Sequence, residues 1–472
     1  METLDNWING ASVKPSGGGY ETTVTPSTGA ELIQVARSSE ADVDAAVQAA
    51  KAAAWGWRHF PAPDRGRLLQ AMALKLRERA DEFAELEIQD TGKPRALVLG
   101  EIENSAAYFE FYAGLVNLPV GDNLDVMPNQ HIYTRREPFG VVGIITPWNV
   151  PLNQAARACA PALAAGNTIV AKPAETSSQT TVALAKLATE VGFPAGVLNV
   201  VLGQGSVVGN AIVSHDLVRK VAFTGSVKTG QSIGRIAADR IIPLTLELGG
   251  KSANIVFEDA DLEFAAKEAV RAFSSNAGQV CSAGTRLLVQ KSIHDKFVKA
   301  VADIASKIVV GKDMGPMITR TQFEQVQEYF KIAEEEGAVA ETGGKVSSNP
   351  DLAGGFYVEP TVYSGVTNDM RIAQEEIFGP VLVAIPFETE EEAIAIANDS
   401  DFGLISGVFT KDISRAFRVA DAMEAGQVFV NSWSTGAVQT SFGGHKLSGY
   451  GREKGIESLQ QYGHTKCVVV VY

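Results

Sequence analysis

Three residues in separate parts of the chain could together perform covalent catalysis: Cys281, Glu247 and Asn149. Cys281 lies in the small, polar segment NAGQVCSAGTR, whereas a cysteine with a purely structural role usually lies in an apolar run. Cys159 and Cys467 have apolar neighbours and fit that structural role. A thiol attacks as its thiolate, and a loop or a helix start can stabilise that anion. Cys281 is therefore the candidate nucleophile.

Two polar residues stand where predicted apolar strands end. Glu247 lies between two leucines, where a buried carboxylate is costly unless it has a partner or a function. It is either a general base with a raised pKa or the partner of Lys251 in a salt bridge. Asn149 lies between two prolines in TPWNVP, which restrict the backbone. Its amide either stabilises a turn or donates a hydrogen bond to an oxyanion.

A glycine-rich turn offers a place for a phosphate group. The segment Gly225–Gly230 (GSVKTG) follows the apolar stretch KVAFT and opens a predicted helix. Backbone N–H groups and the positive end of the helix dipole can hold a pyrophosphate at such a turn. Many turns between strands and helices carry two glycines, so this segment alone identifies no ligand.

The elements that position these residues alternate regularly between strands and helices. Apolar strands are predicted at Val141–Thr146, Thr168–Lys172, Leu198–Val201, Val221–Thr224 and Leu244–Leu248. A second set is predicted at Ala253–Phe257, Arg286–Gln290, Val381–Pro386, Gly407–Thr410 and Val428–Asn431. Strands that are apolar throughout and separated by helices indicate parallel sheets covered on both faces. The sequence therefore predicts an α/β fold with two parallel-sheet lobes.

The segments outside this alternation are helical before it and extended at the C-terminus. Helices are predicted over 40–58, 64–91 and 94–117 from their apolar periodicity. A strand with a polar face is predicted over 131–137, and the β-branched tail 465–472 (TKCVVVVY) predicts another strand. An apolar strand at a terminus needs a partner for its edge. The tail either joins a sheet of its own chain or docks on another subunit.

Composition and charge narrow the class of protein. The chain has 472 residues, of which 45% are hydrophobic and 20% charged, as in folded globular proteins. Its net charge of −14 repels phosphate backbones and anionic membranes, so we expect neither as a partner. Three cysteines exclude a disulfide scaffold, and we find no metal-binding pattern. Without a signal peptide or an apolar run of about 18 residues, we expect a cytoplasmic enzyme.

Seven segments, taken together, resemble the motifs of the aldehyde dehydrogenase superfamily. They are TPWNVPL (146–152), KPAE (172–175), FTGSVKTG (223–230), LELGGKS (246–252), GQVCSAGTR (278–286), EEIFGPV (375–381) and FGGHKLSGYGREKG (442–455). The resemblance covers essentially the whole chain. It implies a Rossmann-like NAD-binding domain over 1–119 and 139–249, an α/β catalytic domain over 250–447, and a small oligomerisation β element over 120–138 and 455–472. A homodimer or homotetramer is the implied assembly.

The resemblance also implies which residues act in the reaction. Cys281 resembles the nucleophile, Glu247 the general base, and Asn149 the oxyanion donor, assisted by the backbone N–H of Cys281. Glu453 resembles a second acid that relays protons near the base. The implied cofactor is NAD, with NADP as the alternative. The positions that resemble its binding site are Thr146, Trp148, Lys172, Glu175, Gly225, Ser226, Gly230, Leu248, Glu376 and Phe378.

The implied reaction is the oxidation of an aldehyde to a carboxylic acid through a cysteine thiohemiacetal and thioester. Glu247 favours water over coenzyme A as the acceptor, and the intact set of three residues argues against a non-catalytic NAD-binding scaffold. The positions that resemble the substrate tunnel are Val150, Arg157, Trp433, Gly436 and Phe442. Arg157 suits a substrate carboxylate or a polar ring substituent, or it bridges to an acid at a domain boundary. We expect an aromatic aldehyde or a carboxylate-bearing semialdehyde, with broad aliphatic specificity as the alternative.

Overall fold

The computed structural model describes residues 1–118, 121–434 and 436–472, and its largest element is an eight-stranded sheet. In spatial order the strands are Gly449–Tyr450, Leu244–Glu247, Val218–Thr224, Val141–Ile145, Thr168–Lys172, Leu198–Val200, Asn6–Ile8 and Ala11–Val13. The five strands from 141 to 247 run parallel, and the strands at both edges are antiparallel. Parallel strands place their carboxyl ends at one edge of a sheet.

Helices cover both faces of this first sheet. Ile144 packs into one apolar cluster and Ile145 into another, because successive side chains of a strand point to opposite faces. The helices of this part of the chain are Glu40–His59, Ala62–Glu78, Ala80–Thr91, Arg95–Leu115, Pro151–Ala164, Gln179–Glu190, Asn210–Ser214 and Val227–Arg240. A π-helical turn, Gly205–Gly209, leads into the helix that begins at Asn210.

A second sheet of seven strands is built from the later part of the chain. Its spatial order is Val339–Thr342, Thr361–Ser364, Val381–Phe387, Arg286–Gln290, Ala253–Val256, Ile405–Phe409 and Gln427–Val430, and all but the first are parallel. Its helices are Leu262–Ser274, His294–Ala305, Arg320–Glu335, Arg371–Gln374, Glu390–Asn398 and Ile413–Ala422. Side chains of Asp261, Thr319, Thr389 and Asp412 cap four of them by accepting backbone N–H groups of the first turn.

A three-stranded antiparallel sheet, here called the tail sheet, joins two distant segments. The C-terminal strand Gly463–Val471 pairs along its whole length with Gln130–Pro138, whose other edge pairs with Asn123–Leu124. The tail therefore joins a sheet of its own chain. Its outer edge has no partner strand among the described residues, and Val471 and Tyr472 are 71% and 78% exposed.

The predicted α/β class with two largely parallel sheets and an additional β element is confirmed. The predicted continuous helix over 64–91 is wrong, because the chain leaves helical geometry at Arg79, where φ is −105° and ψ is 23°. The Arg79 guanidinium forms ion pairs with Glu82 and Glu190 at this break. No glycine or proline stands there, so the sequence contains no residue that would predict the end of a helix. The domain bounds stay a prediction, and the boundary at residues 119 and 120 lies outside the described residues.

Sequence patterns missed several short strands. The N-terminal strands Thr3–Leu4, Tyr20–Val24 and Glu31–Ala36 form a small sheet, and Phe402–Gly403 pairs with His445–Lys446. Val339–Thr342 and Thr361–Ser364 extend the second sheet at one edge. Segments this short lack a readable periodicity, because their pairing depends on distant neighbours. The last helix, Gly455–Gln461, leads into the tail strand.

Candidate active site

Cys281 stands on a loop that follows three residues in left-handed backbone conformation. Asn276, Ala277 and Gly278 have φ angles of 51°, 53° and 71°. A Cβ on Gly278 would overlap the carbonyl oxygen of Gly379, and the positive φ also favours glycine here. Two non-glycine residues in this region are uncommon, and such backbone is concentrated at functional sites. The loop is therefore bent into a conformation that the surrounding structure must hold.

Buried Gln279 holds this loop through its side-chain amide. Its Nε2 donates to the carbonyl oxygens of Asn276, at 3.0 Å, and of Pro316, at 3.1 Å. Its Oε1 accepts the backbone N–H of Ile318 at 2.8 Å. Leaving a buried polar group unpaired costs about 1–3 kcal/mol, so a loop movement that broke these bonds would be unfavourable.

Asn149 links the first sheet to the cysteine loop. It follows the strand Val141–Ile145, and its Nδ2 donates to the carbonyl oxygen of Gln279 at 2.8 Å. In return, Nδ2 of Asn276 donates to the carbonyl oxygen of Asn149 at 3.0 Å. An amide nitrogen carries two hydrogens, so Asn149 keeps a second donor beside Cys281. The backbone N–H of Cys281 makes no hydrogen bond within the described chain.

Two cavities meet at this point. The first, here called the Trp148 cleft, is lined by Pro147, Trp148, Asn149, Gln154, Thr224, Gly225, Ser226, Leu248, Gly249, Cys281, Gln322, Gln325, Glu376 and Phe378. The second, the Phe442 cavity, is lined by Asn149, Val150, Asn153, Gln154, Arg157, Val280, Cys281, Ser282, Ile405, Gln427, Phe429, Ser434, Gly436, Phe442 and Lys454. Asn149, Gln154 and Cys281 line both, so the partly exposed thiol stands at their junction.

Aromatic rings and a carboxylate shape the Trp148 cleft near the thiol. The rings of Trp148 and Phe378 meet edge to face, with centroids 5.4 Å apart. Glu376 accepts the backbone N–H of Gly250 at 2.9 Å, and burial raises its pKa to about 7. A Cβ on Gly249 would overlap this carboxylate, so the glycine lets Glu376 approach the backbone.

The remaining positions that resemble a cofactor site lie at strand ends or the following turns. Thr146 donates its backbone N–H to the carbonyl of Lys172 at 3.0 Å. Beyond it, Glu175 accepts the N–H of Gly205 at 2.6 Å and lies 3.5 Å from the Lys172 ammonium. Ser226 caps the helix Val227–Arg240 by accepting the N–H of the third helical residue. Gly225 donates its N–H to the backbone of Glu247, and Gly230 packs on Leu248.

Glu247 is buried next to the junction without a hydrogen-bond partner. It is 1% exposed, and neither carboxylate oxygen has a partner in the described chain. Burial raises the pKa of Glu247 well above its ordinary value; Glu453 adds to the increase and Arg157 opposes it. The predicted alternative, a salt bridge to Lys251, is not formed, and the Lys251 ammonium is itself unpartnered. A carboxyl group in this state is poised to exchange a proton.

Arg157 combines both of its predicted placements. It lies on the wall of the Phe442 cavity, and its Nε forms a buried ion pair with Glu453. Its Cζ also lies 5.1 Å from the centre of the Phe442 ring, while Nη2 has no hydrogen-bond partner. The ion pair uses one side of the guanidinium, so the other side keeps donors available to a ligand.

The thiol of Cys281 has a mixed electrostatic environment. Burial raises its pKa to about 12; Arg157 opposes this increase, and Glu247 and Glu376 add to it. Thiolate formation is therefore favoured by Arg157 and disfavoured by an ionised Glu247. The charges of these neighbours therefore affect how readily the Cys281 thiol ionises.

The Phe442 cavity contains four of the five predicted tunnel residues. Val150, Arg157, Gly436 and Phe442 line it. Trp433 is 2% exposed and lies behind the wall, where its Nε1 donates to the carbonyl of Ser282 at 3.2 Å. Gly284 and Gly407 leave room for its ring, which explains why this large side chain is buried.

Lys454 is a cavity residue that the sequence did not reveal. It follows Glu453 in GREKG, which shows a charged segment but not the direction of each side chain. Gln154, Gln427 and Phe429 also line the cavity and were not singled out. Gln154 follows the segment TPWNVPL, whereas Gln427 and Phe429 lie on or next to a predicted strand with no motif nearby.

None of the described helices is long and apolar enough to cross a membrane. The fold and the site together define an enzyme with a cysteine at the junction of two cavities, at the edge where parallel strands end. The chain matches the model of the aldehyde dehydrogenase family over residues 13–468. The chain belongs to this family, whose reaction is the oxidation of aldehydes.

Relatives of known name agree with this assignment. An aldehyde dehydrogenase from Enchytraeus buchholzi is 42% identical over 484 aligned positions, covering 100% of this chain and 96% of the relative. Betaine aldehyde dehydrogenase from Staphylococcus aureus, solved with NAD⁺, has a TM-score of 0.97 and 40% identity, covering 98% of this chain and 94% of that one. PnpE, solved with nicotinamide adenine dinucleotide, has a TM-score of 0.98 and 40% identity, covering 100% and 98%.

The close contact between Gly278 and the backbone of Gly379 leads to a testable prediction. Gly278→Ala should destabilise the protein by about 1–3 kcal/mol and slow aldehyde oxidation about 100-fold, because its Cβ displaces the cysteine loop. Thermal unfolding and steady-state rates measure both effects. Gly234→Ala is the matched control, since Gly234 lies in a helix with open space where the Cβ would stand. Equal behaviour of the two variants would contradict the role given to the loop.

Proposed function

We propose that this chain oxidises an aldehyde to the carboxylic acid with NAD, through covalent intermediates on Cys281. The observation that carries the proposal is the position of Cys281 where the Trp148 cleft meets the Phe442 cavity. Two donors, the Asn149 amide and the N–H of Cys281, stand at the same point. Two relatives of similar structure were solved with NAD bound, which supports the choice of cofactor.

The groups around the Trp148 cleft fit NAD. The N-terminus of the helix Val227–Arg240, capped by Ser226, suits a pyrophosphate. The carboxylates of Glu175 and Glu376 can each accept a hydrogen bond from a ribose hydroxyl. Trp148 and Phe378 offer aromatic surface near the thiol. When bound, NAD supplies the acceptor for a hydride.

The first half of the reaction forms a bond between Cys281 and the aldehyde carbon. The thiol gives its proton to water, and the thiolate sulfur attacks the carbonyl carbon as the carbonyl π bond breaks, which gives a tetrahedral thiohemiacetal. The carbonyl oxygen gains negative charge, which Asn149 and the backbone N–H of Cys281 stabilise by hydrogen bonds. Removing one such donor typically costs a factor of about 100–1,000 in rate. Loss of hydride from the same carbon, which NAD would accept when bound, re-forms the carbonyl bond and leaves a thioester on Cys281.

The second half is hydrolysis of the thioester, for which Glu247 is the base. A deprotonated Glu247 removes a proton from water, and the resulting hydroxide attacks the thioester carbon and releases the acid. Burial raises the pKa of Glu247, so a larger fraction is protonated than for an ordinary glutamate. This base is therefore inactive at acid pH and gains activity as pH rises through its raised pKa. Glu453, paired with Arg157, lies next to it as a second acid.

Replacing Cys281 and Glu247 separately should distinguish formation of the thioester from its hydrolysis. Cys281→Ala should abolish turnover, because no other group forms the covalent intermediate. Glu247→Gln should release one burst of NADH and then turn over slowly, and the pH profile of its steady rate should lose the inflection set by the raised pKa of Glu247. Stopped-flow absorbance at several pH values measures both phases. Full steady-state activity in either variant would refute the assignment.

Glu175 predicts the choice between the two nicotinamide cofactors. Its carboxylate accepts from Gly205 and lies near Lys172, where a 2′-phosphate of NADP would be repelled. We expect a higher kcat/KM with NAD than with NADP, and Glu175→Gln should raise the NADP-to-NAD ratio about tenfold, since the amide oxygen still accepts from Gly205. A wild-type preference for NADP would show that Glu175 does not meet the ribose.

The Phe442 cavity supports an aldehyde with a negative or polar group far from its carbonyl. Arg157 presents unpaired donors there, and Phe442 offers a ring surface for an aromatic or aliphatic body. Val150 and Gly436 leave room beside them. We therefore favour carboxylate-bearing semialdehydes and aromatic aldehydes over simple aliphatic ones. A quaternary ammonium substrate such as betaine aldehyde meets like charge in this cavity and is disfavoured.

A panel of aldehydes on the wild-type enzyme tests this substrate class. We expect kcat/KM to fall in the order 4-carboxybenzaldehyde, benzaldehyde, betaine aldehyde, with about one to two decades between the first two, as for a charged hydrogen bond. The wild-type panel is preferable to Arg157→Leu, because removing one partner of a buried ion pair costs about 3–5 kcal/mol. Equal rates for charged and neutral aldehydes, hexanal included, would favour broad aliphatic specificity.

We also propose that the tail sheet forms contacts between copies of this chain. Its outer edge is unpaired among the described strands, and Val469 and Val471 are exposed on it. An exposed apolar edge strand is a template for pairing with another chain. A chain ending at Gly463 should therefore form a smaller assembly or aggregate in multi-angle light scattering. A folded protein with the full-length assembly size would contradict the proposal.

A further inference from the structure

Two basic side chains flank the same aromatic ring in the Phe442 cavity. The Arg157 guanidinium carbon and the Lys454 ammonium each lie 5.1 Å from the centre of the Phe442 ring. Both side chains also line the cavity that leads to Cys281. A cation near a ring face gains only modest stabilisation, so the ring alone does not explain two of them.

The two cations differ in their partners. Arg157 forms a buried ion pair with Glu453. Lys454 is half-buried, and its ammonium makes no hydrogen bond or ion pair with any part of the chain that the structure describes. A desolvated charge without a partner is unfavourable, and burial lowers the pKa of Lys454 to about 8. The amine is still mainly protonated at neutral pH.

The backbone of Lys454 is held in an unusual conformation. Its φ is 57° and its ψ is 177°, a region that is essentially restricted to glycine. A glycine, Gly455, stands directly after it, yet the residue at the strained position is a lysine. Strain of this kind persists where the surroundings enforce it, and it is concentrated at ligand sites. The strained backbone sets the ammonium on the cavity wall.

The charge balance of the site leaves Lys454 uncompensated. Glu453 neutralises Arg157, and burial favours the uncharged form of Glu247. The remaining positive charge on the wall of the Phe442 cavity is the Lys454 ammonium. An anionic group of a ligand would supply the partner that the protein does not.

We infer that Lys454 is a specificity-determining residue: its ammonium binds the carboxylate of an aldehyde whose body packs on Phe442 and whose carbonyl carbon lies at Cys281. Arg157 lines the same cavity, and its unpaired Nη2 is a second donor that assists. This inference rests on the proposed function, which assigns Cys281 as the nucleophile. Lys454 thus determines the substrate class by binding the carboxylate of the substrate and not its reacting carbonyl group.

The competing role for Lys454 is electrostatic support of the reaction centre. Its charge interacts with Cys281, Glu453 and Glu247. Removing a purely supporting charge would slow every aldehyde alike and would act mainly on kcat. Removing a carboxylate-binding group acts on charged substrates and mainly on KM.

The kinetic test compares 4-carboxybenzaldehyde with benzaldehyde, which differ only in the carboxylate. In Lys454→Met the ratio of their kcat/KM values should fall about tenfold or more, mainly through a higher KM for 4-carboxybenzaldehyde. Lys454→Arg should keep most of the ratio, because it retains the charge at the same backbone position. Lys312→Met, an exposed lysine in the second part of the chain, is the matched control and should keep the wild-type ratio. An unchanged ratio in Lys454→Met, or an equal loss on both aldehydes, would overturn the inference.

A binding measurement separates this inference from the proposed reaction. Terephthalate and benzoate are the acids that correspond to the two aldehydes, and their affinities are measured by calorimetry without turnover. Wild-type protein should bind terephthalate more tightly than benzoate, and Lys454→Met should lose that preference. If neither aldehyde is oxidised but this preference holds, the proposed function fails and the anion site stands. If the wild type shows no preference for terephthalate, the anion site is refuted.

Discussion

The site depends on a reciprocal pair of hydrogen bonds between Asn149 and the cysteine loop. One joins the Asn149 amide to the carbonyl of Gln279, and the other joins the Asn276 amide to the carbonyl of Asn149. Asn149 follows a strand of the eight-stranded sheet, whereas Asn276 and Gln279 precede a strand of the seven-stranded sheet. These bonds fix the two halves of the site against each other. Asn149 and Cys281, on the two sides of this link, line both the Trp148 cleft and the Phe442 cavity.

The same region contains an unusual number of buried or half-buried ionisable side chains. Burial favours the uncharged form of Glu247, Glu453 and Arg157 neutralise each other as an ion pair, and the Lys454 ammonium has no hydrogen-bond or ion-pair partner among the described residues. In the proposed reaction these groups act as a base that must lose a proton, an acid close to it, and a cation that binds an anionic group of the ligand. Structural ion pairs alone would not leave a carboxylate and an ammonium both unpartnered. The electrostatics of the site therefore support the proposed reaction and the proposed anionic substrate.

Much of this arrangement could be predicted from the sequence. Apolar strands between helices predicted both sheets, because a strand buried on two faces is recognisable from its own residues. The association of the tail with Gln130–Pro138 was implied only by the family resemblance, which placed both segments in one β element, because the residues of two strands far apart in the chain do not show that the strands pair. The role of Arg157 stayed open for the same reason, because Glu453 lies far away in sequence. Lys454 was missed because its direction depends on a strained φ, which no pattern of residue types reveals.

The central claim is that an acyl group is carried on Cys281, and it is tested most directly by trapping that group. Glu247→Gln protein would be mixed with benzaldehyde and NAD, quenched in acid, digested and mapped by mass spectrometry. A benzoyl adduct on the peptide that contains Cys281, formed in step with the NADH burst, is the predicted result. An adduct on Cys159 or Cys467, or a burst of NADH without any adduct, would contradict the account.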